Sequence, residues 1–145
     1  MTIRLSVGLR NKILDSGLAD AFDTNGRINI YTGTQPATAA TAASGTLLGT
    51  LTLNSNSVSA AAASGTMTFN TITSDTSADA TGTAGWGRIY LTTDTAPGSA
   101  GDADDRRLDF AISTSGSDVN FDSVSFVAGG TIAMSSLTVT LPSGD

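Results

Sequence analysis

The sequence predicts an all-β chain: a single-domain sandwich or small barrel of about eight strands, carrying one N-terminal amphipathic helix. Three observations lead there. Thr, Ala, Ser and Gly fill more than half of the 145 positions, glutamate is absent, and Lys12 is the sole lysine. Helices lean on Glu, Lys and Leu, whereas Thr-rich segments with short apolar alternations favour strands and turns. The second observation is the regular recurrence of such alternations between turn residues. The third is the stretch 83–92, which holds the only tryptophan, one of two tyrosines and an arginine inside a strand pattern. There Trp86, Arg88 and Tyr90 share one face, and Gly87, Ile89 and Leu91 the other. Large side chains on both faces place this strand in the middle of a sheet.

The elements follow in order, as one domain over 1–145 with a helix at 5–22 and a β core at 27–141. Leu5, Leu9, Ile13, Leu14, Leu18 and Phe22 recur at three- and four-residue spacing, which predicts the helix. Ser6 caps its start and Gly17 ends its first part. Arg4, Arg10 and Lys12 concentrate positive charge here. The helix packs on the open face or end of the sheet, or alternatively docks on a partner. Asp23-Thr24-Asn25-Gly26 reads as a tight turn. Strands follow at 27–32, with Ile28 and Ile30 inward, and at 47–53, marked by Leu51 and Leu53. Between them lies a loop of small residues, and 54–65 is a loop or small edge strand. Residues 66–72 alternate again, with Met67 and Phe69 on one face. Beyond the central strand and the long loop 93–105, Leu108, Phe110 and Ile112 face inward and Asp109 outward. Val119 and Phe121, Val124 and Phe126, 132–134 and 137–141 complete the set. The expected core is Leu9, Ile13, Ile28, Ile30, Leu51, Phe69, Trp86, Ile89, Phe110, Phe121 and Val139.

Composition also bounds the chemistry. The chain has no histidine or cysteine, and all its acidic residues are aspartates. Neither a Ser-His-Asp nor a Cys-His pair can be assembled, and zinc sites of ordinary type and imidazole proton shuttles go with them. Nothing in the aspartate spacing suggests glycosidase or protease work, so neither an enzyme nor a bound cofactor is expected. A formal net charge of −6 is poor for binding duplex DNA or anionic membranes. No apolar run approaches the ~20 residues of a bilayer span, and the N-terminus lacks a signal-peptide core. The expectation is an unprocessed protein made in a cytoplasm.

Two clusters invite a sharper reading. Asp102, Asp104 and Asp105 sit in a Gly-containing loop and could hold Ca²⁺, but two of them are adjacent and no terminal bidentate Glu follows. The preferred reading is a solvated loop pairing loosely with Arg106 and Arg107, without a metal. Trp86 and Tyr90 could form a platform for a sugar or a base, although core packing is preferred. Arg88 between them needs a partner if buried, and Asp109 is the candidate; otherwise its head reaches solvent. Gly87 marks close backbone approach or makes room for a large cross-strand side chain.

Three pieces of sequence resemble a known family. They are Leu9-Arg10-Asn11 with a helix leading to Arg27-Ile28-Asn29-Ile30-Tyr31-Thr32-Gly33-Thr34-Gln35-Pro36; Thr83-Ala84-Gly85-Trp86-Gly87-Arg88-Ile89-Tyr90; and an Asp-rich strand, then Gly129-Gly130-Thr131-Ile132 and Leu137-Thr138-Val139-Thr140-Leu141-Pro142. In this order they are similar to small structural proteins of tailed bacteriophages and prophages, over nearly the whole chain. Relatives there often carry a bulky aromatic where Gly87 stands. The resemblance implies a virion component without activity of its own, by preference a capsid decoration (cement) protein. Such a protein sits on the shell, touches the major capsid protein and commonly forms trimers. A neck, tail or fibre component is the alternative, and a carbohydrate-binding module the second. The expected contact residues are Arg4, Arg10, Asp102, Asp104 and Asp105, with the loops 34–46 and 93–105.

Overall fold

The computed structural model describes residues 4–5, 17, 21–22, 26–54, 66–102 and 105–140. Among them the chain forms ten strands: β1 (Arg4–Leu5), β2 (Gly26–Thr32), β3 (Leu47–Leu53), β4 (Thr66–Thr68), β5 (Ile72–Thr73), β6 (Gly82–Leu91), β7 (Leu108–Ser113), β8 (Val119–Asn120), β9 (Ser125–Phe126) and β10 (Thr138–Thr140). The protein is all-β in this part. Six strands make one curled, half-barrel sheet in the order β1-β7-β6-β2-β3-β5. The short β8 joins β7 in parallel, and β9 joins the start of β6. A separate antiparallel pair, β4 with β10, completes the set.

The stretch around Trp86 is central, as its two-sided pattern requires. β2 pairs with β6 from Gly26↔Leu91 to Thr32↔Ala84, and β7 lies on the other side from Trp86↔Ala111 to Ile89↔Leu108. Alternation then sorts side chains. Ile28 and Ile30 of β2, Leu51 and Leu53 of β3, Ile89 of β6, and Leu108, Phe110 and Ile112 of β7 enter one buried apolar cluster. Phe22, Phe69, Ile132, Met134, Leu137 and Val139 join the same cluster from outside the main sheet. At ~25 cal/mol per Å² of apolar surface removed from water, this cluster is the principal source of stability.

Gly87 is the fitting piece of that face. It lies opposite Phe110 in the ladder, and a Cβ at Gly87 would come within 2.6 Å of the Phe110 ring. The ring occupies the volume that a side chain on β6 would need, so the glycine makes room for a large cross-strand neighbour.

Several expectations change. The apolar spacing places Leu5 in the helix, yet it forms β1 with Arg4 and pairs with Leu108. The free edge of β7 supplies ladder partners that apolar spacing alone does not register. Leu9, Ile13, Arg10, Lys12 and most of the predicted helix lie outside the described residues. The single strand expected at 66–72 is two. Thr66–Thr68 pairs with β10 and Ile72–Thr73 with β3, so the chain must leave the ladder between them to serve both sheets. Residues 132–134 contribute one isolated bridge, Ile132 with Asp75, rather than a strand. The strand around Val124 and Phe126 shrinks to Ser125–Phe126. Trp86 is fully buried as a core residue should be, but on the face opposite the apolar cluster.

Candidate interaction surface

The second face of the sheet is polar, and the long loops 33–46 and 92–107 cover it. Strand register sets its side chains in rows. Asn29 of β2 is flanked by Thr50 of β3 and Arg88 of β6, and Arg88 by Asp109 of β7. Period-two alternation forces this composition, because each of these residues neighbours a core-facing one.

Arg88 and Asp109 are both fully buried, joined by Nε to Oδ1 and Nη2 to Oδ2, each at 2.7 Å. The remaining guanidinium donors do not go to solvent. Nη1 donates to the Pro97 carbonyl at 2.9 Å and Nη2 to the Thr41 carbonyl at 3.0 Å. One side chain therefore ties both loops to the central strand. The Arg88–Asp109 pairing and the outward side of Asp109 match the sequence reading, but that side is not open to water at Asp109. The carboxylate points away from the apolar core and is sealed beneath the loops, where only a full set of partners offsets its desolvation.

Arg107 repeats the arrangement one row away. It forms a two-point pair with Asp94, Nε to Oδ2 at 2.5 Å and Nη2 to Oδ1 at 2.9 Å. It also donates to the carbonyls of Ser99 (2.8 Å) and Ala96 (3.1 Å), and Asp105 lies 3.1 Å from Nη2. The loose, solvated pairing expected for Arg107 is thus overturned, since its side chain is 1 % exposed. Burial works against the charge, but the hydrogen bond and field of Asp94, with Asp105 and Asp109 behind it, outweigh burial and raise its pKa.

The loops also bond to each other. Ala43 N–H donates to Gly98 O at 2.9 Å, and Gly101 N–H to Ala40 O at 2.8 Å. Beneath them Trp86 stacks on Tyr31 with ring centroids 4.6 Å apart, and its indole N–H donates to Ser44 O at 3.2 Å. The Arg88 guanidinium carbon lies 5.3 Å from the Trp86 ring centroid, within cation–π range. The Tyr90 hydroxyl donates to Asn29 Oδ1 at 3.2 Å, and the Asn29 amide donates to the Tyr31 hydroxyl at 3.0 Å. Burial, with Tyr31 and Asp94 adding, raises the Tyr90 pKa against the opposing effects of Arg27 and Asn29. A sugar platform at Trp86 and Tyr90 is therefore absent; the indole is fully buried and already stacked.

Outside these pins the loops present Thr38, Thr41, Ala42, Ala96, Ser99 and Ala100, exposed or half-buried and all small and uncharged. The expected contact residues fare unevenly. Asp102 is exposed at the foot of this surface, and its N–H donates to Asp105 Oδ2 at 3.0 Å. Asp105 is committed to Arg107, Arg4 contributes backbone to β1, and Arg10 and Asp104 lie outside the described residues. No group of three or more metal-ligating side chains comes together among the described residues. Asp94 is not among the residues that the sequence singles out; its signal is an Asp placed to cap a turn, accepting from Ala96 N–H at 3.2 Å.

Elsewhere a groove of about 340 Å³ is lined by Ser74, Asn120, Phe121, Asp122, Met134 and Ser135, with two further small residues. Among its described lining residues Asp122 is the one carboxylate. No protein-family model, curated protein or solved structure matches the chain.

Proposed function

We propose that the chain is a non-enzymatic structural protein of a tailed-bacteriophage virion, and specifically a decoration (cement) protein that binds the assembled shell and stabilises it. In this reading it is made in the bacterial cytoplasm and resides in the virion. It meets the major capsid protein as a homo-oligomer, a trimer by preference, and touches neither nucleic acid nor membrane. In this reading the half-barrel belongs to a sandwich or small barrel of about eight strands, with the N-terminal amphipathic helix starting only after β1.

Two things support the reading. One is the resemblance carried by 27–36, 83–90 and 129–142. The other, which carries it furthest, is the pinning of the two long loops between β2 and β3 and between β6 and β7 by buried Arg88 and Arg107. Loops held this firmly, yet displaying small uncharged side chains, suit contact rather than chemistry. A protein that binds only the assembled lattice draws the equilibrium away from disassembly.

The test is to mix purified protein with phage heads lacking their decoration and to locate added density by electron microscopy. Regular density on the shell, together with greater resistance of the heads to heat, is the expected result. Density confined to necks, tails or fibres would replace the decoration role with the alternative virion role. No density on any particle would overturn both.

A further inference from the structure

Among the described residues, the main sheet ends on short strands. β1 and β5 have two residues each, whereas their neighbours β7 and β3 have six and seven. Among the described residues, most of the outer edge of β7 and of β3 is thus left without a strand from this pair. An edge of that kind presents unpaired N–H and C=O groups, a template on which another chain can pair. Both gaps are closed by an aspartate side chain.

On β3, Thr52 and Leu53 pair with β5, and the Leu48 carbonyl accepts from Asp79 N–H at 2.7 Å. Between them the Thr50 N–H donates to Asp75 Oδ2 at 2.8 Å. The other oxygen of Asp75 accepts from Ser77 N–H at 2.9 Å, and its backbone makes two hydrogen bonds with Ile132, so the carboxylate is held in place. Gly49 leaves the space: a Cβ there would come within 2.5 Å of Asp75 Oδ2. On β7, Leu108 and Asp109 pair with β1, and Ile112 and Ser113 with β8. Between them the Ala111 N–H donates to Asp118 Oδ2 at 3.0 Å.

We propose that Asp75 and Asp118 are edge guards, each carboxylate taking the outward N–H at the gap in its edge and so keeping a second copy of this chain from adding onto the sheet. A carboxylate does this twice over. It consumes the donor that an incoming strand needs, and it sets a negative charge against that strand's carbonyl oxygens. The two guards sit on opposite edges of the same half-barrel, so one alone cannot protect it. This inference is independent of the virion reading; either can fail while the other stands.

The test uses the full chain and needs no partner. In the unmodified protein, the Thr50 and Ala111 amides should exchange with solvent as slowly as the ladder amides of β2 and β6. Exchange at loop rates would overturn the proposal. In Asp75→Ala, Asp118→Ala and the double variant, light scattering should reveal a concentration-dependent species of about twice the unmodified mass, the size edge pairing of two copies requires. Gly49→Ala should reproduce the Asp75→Ala behaviour, since it displaces that carboxylate without removing it. Asp118→Asn should stay at the unmodified mass, because its amide oxygen still accepts. Folded alanine variants of unchanged mass at every concentration would overturn the proposal. If a variant does not fold, the exchange measurement on the unmodified chain decides.

Discussion

At the scale of single residues, two fits dominate, one on each face of β6. Arg88 pairs with the buried Asp109 and holds two loop carbonyls, so its removal takes the guanidinium away from a carboxylate beneath the loops. Arg88→Met should therefore cost about 3–5 kcal/mol, whereas Arg88→Met with Asp109→Leu should recover much of it, since paired apolar replacements leave no buried charge. Chemical denaturation of the four members of that cycle checks this. On the other face, Gly87→Ala should cost about 1–3 kcal/mol by overpacking against Phe110. Adding Phe110→Leu should relieve part of that loss, so the double variant falls short of the sum. Both fits were legible in the sequence, for the same reason. A buried guanidinium demands a carboxylate, a glycine inside a strand demands a neighbour that fills its space, and strand alternation limits the candidates. What alternation could not say is that Asp109 would be sealed, because the covering comes from loops with no period to read.

At the scale of elements, the loops behave as parts of the sheet rather than as appendages. Asp94 begins the 92–107 loop, and Arg107 ends it by pairing with Asp94 and capturing the carbonyls of Ser99 and Ala96 between them. That closure lies within the loop, and the remaining ties, Arg88 to Pro97 and Ala43 to Gly98, do not replace it, so Asp94→Ala should loosen 94–101 first. Amide exchange there should accelerate while β2 and β6 stay protected, and stability should fall toward the lower end of about 3–5 kcal/mol because Asp105 remains beside Arg107. Uniform acceleration across the sheet would contradict the picture. Here the sequence was silent. The strands at 27–32, 47–53, 83–92 and 108–112 announced themselves by period two, but Asp94 and Arg107 are thirteen positions apart in a segment without periodicity. Carbonyl acceptors such as Thr41 and Pro97 carry no residue-type signal at all. The one strand expected at 66–72 failed for a related reason, since pattern marks a strand but not which of two sheets it joins.

At the scale of the whole molecule, stability should be limited from the alkaline side by the network under the loops. The Tyr90 pKa is raised in the folded chain, chiefly by burial, above the value of about 10 of an exposed tyrosine. The folded state thus holds this proton more tightly than the unfolded state does. Its contribution is fully present below pH ~10 and is lost as pH climbs from there through the folded-state value. Arg107 shifts in the same direction from a much higher starting point, so it stays charged throughout and adds no slope in that window. Tyr90→Phe removes the titrating group while keeping the ring, at the cost of the hydrogen bond to Asn29. The variant should therefore be somewhat less stable than the parent at pH 8, and the gap should narrow as the pH passes 10 and the parent begins to lose the advantage. Urea midpoints at pH 8 and pH 11 for both proteins decide it; a constant gap would mean that folding leaves the Tyr90 proton unaffected, and a widening one that folding loosens it, and either would overturn the prediction. Because Asn29 links Tyr90, Tyr31 and Thr50 in one network across β2, β3 and β6, alkaline loosening should begin at the polar face and reach the apolar cluster last.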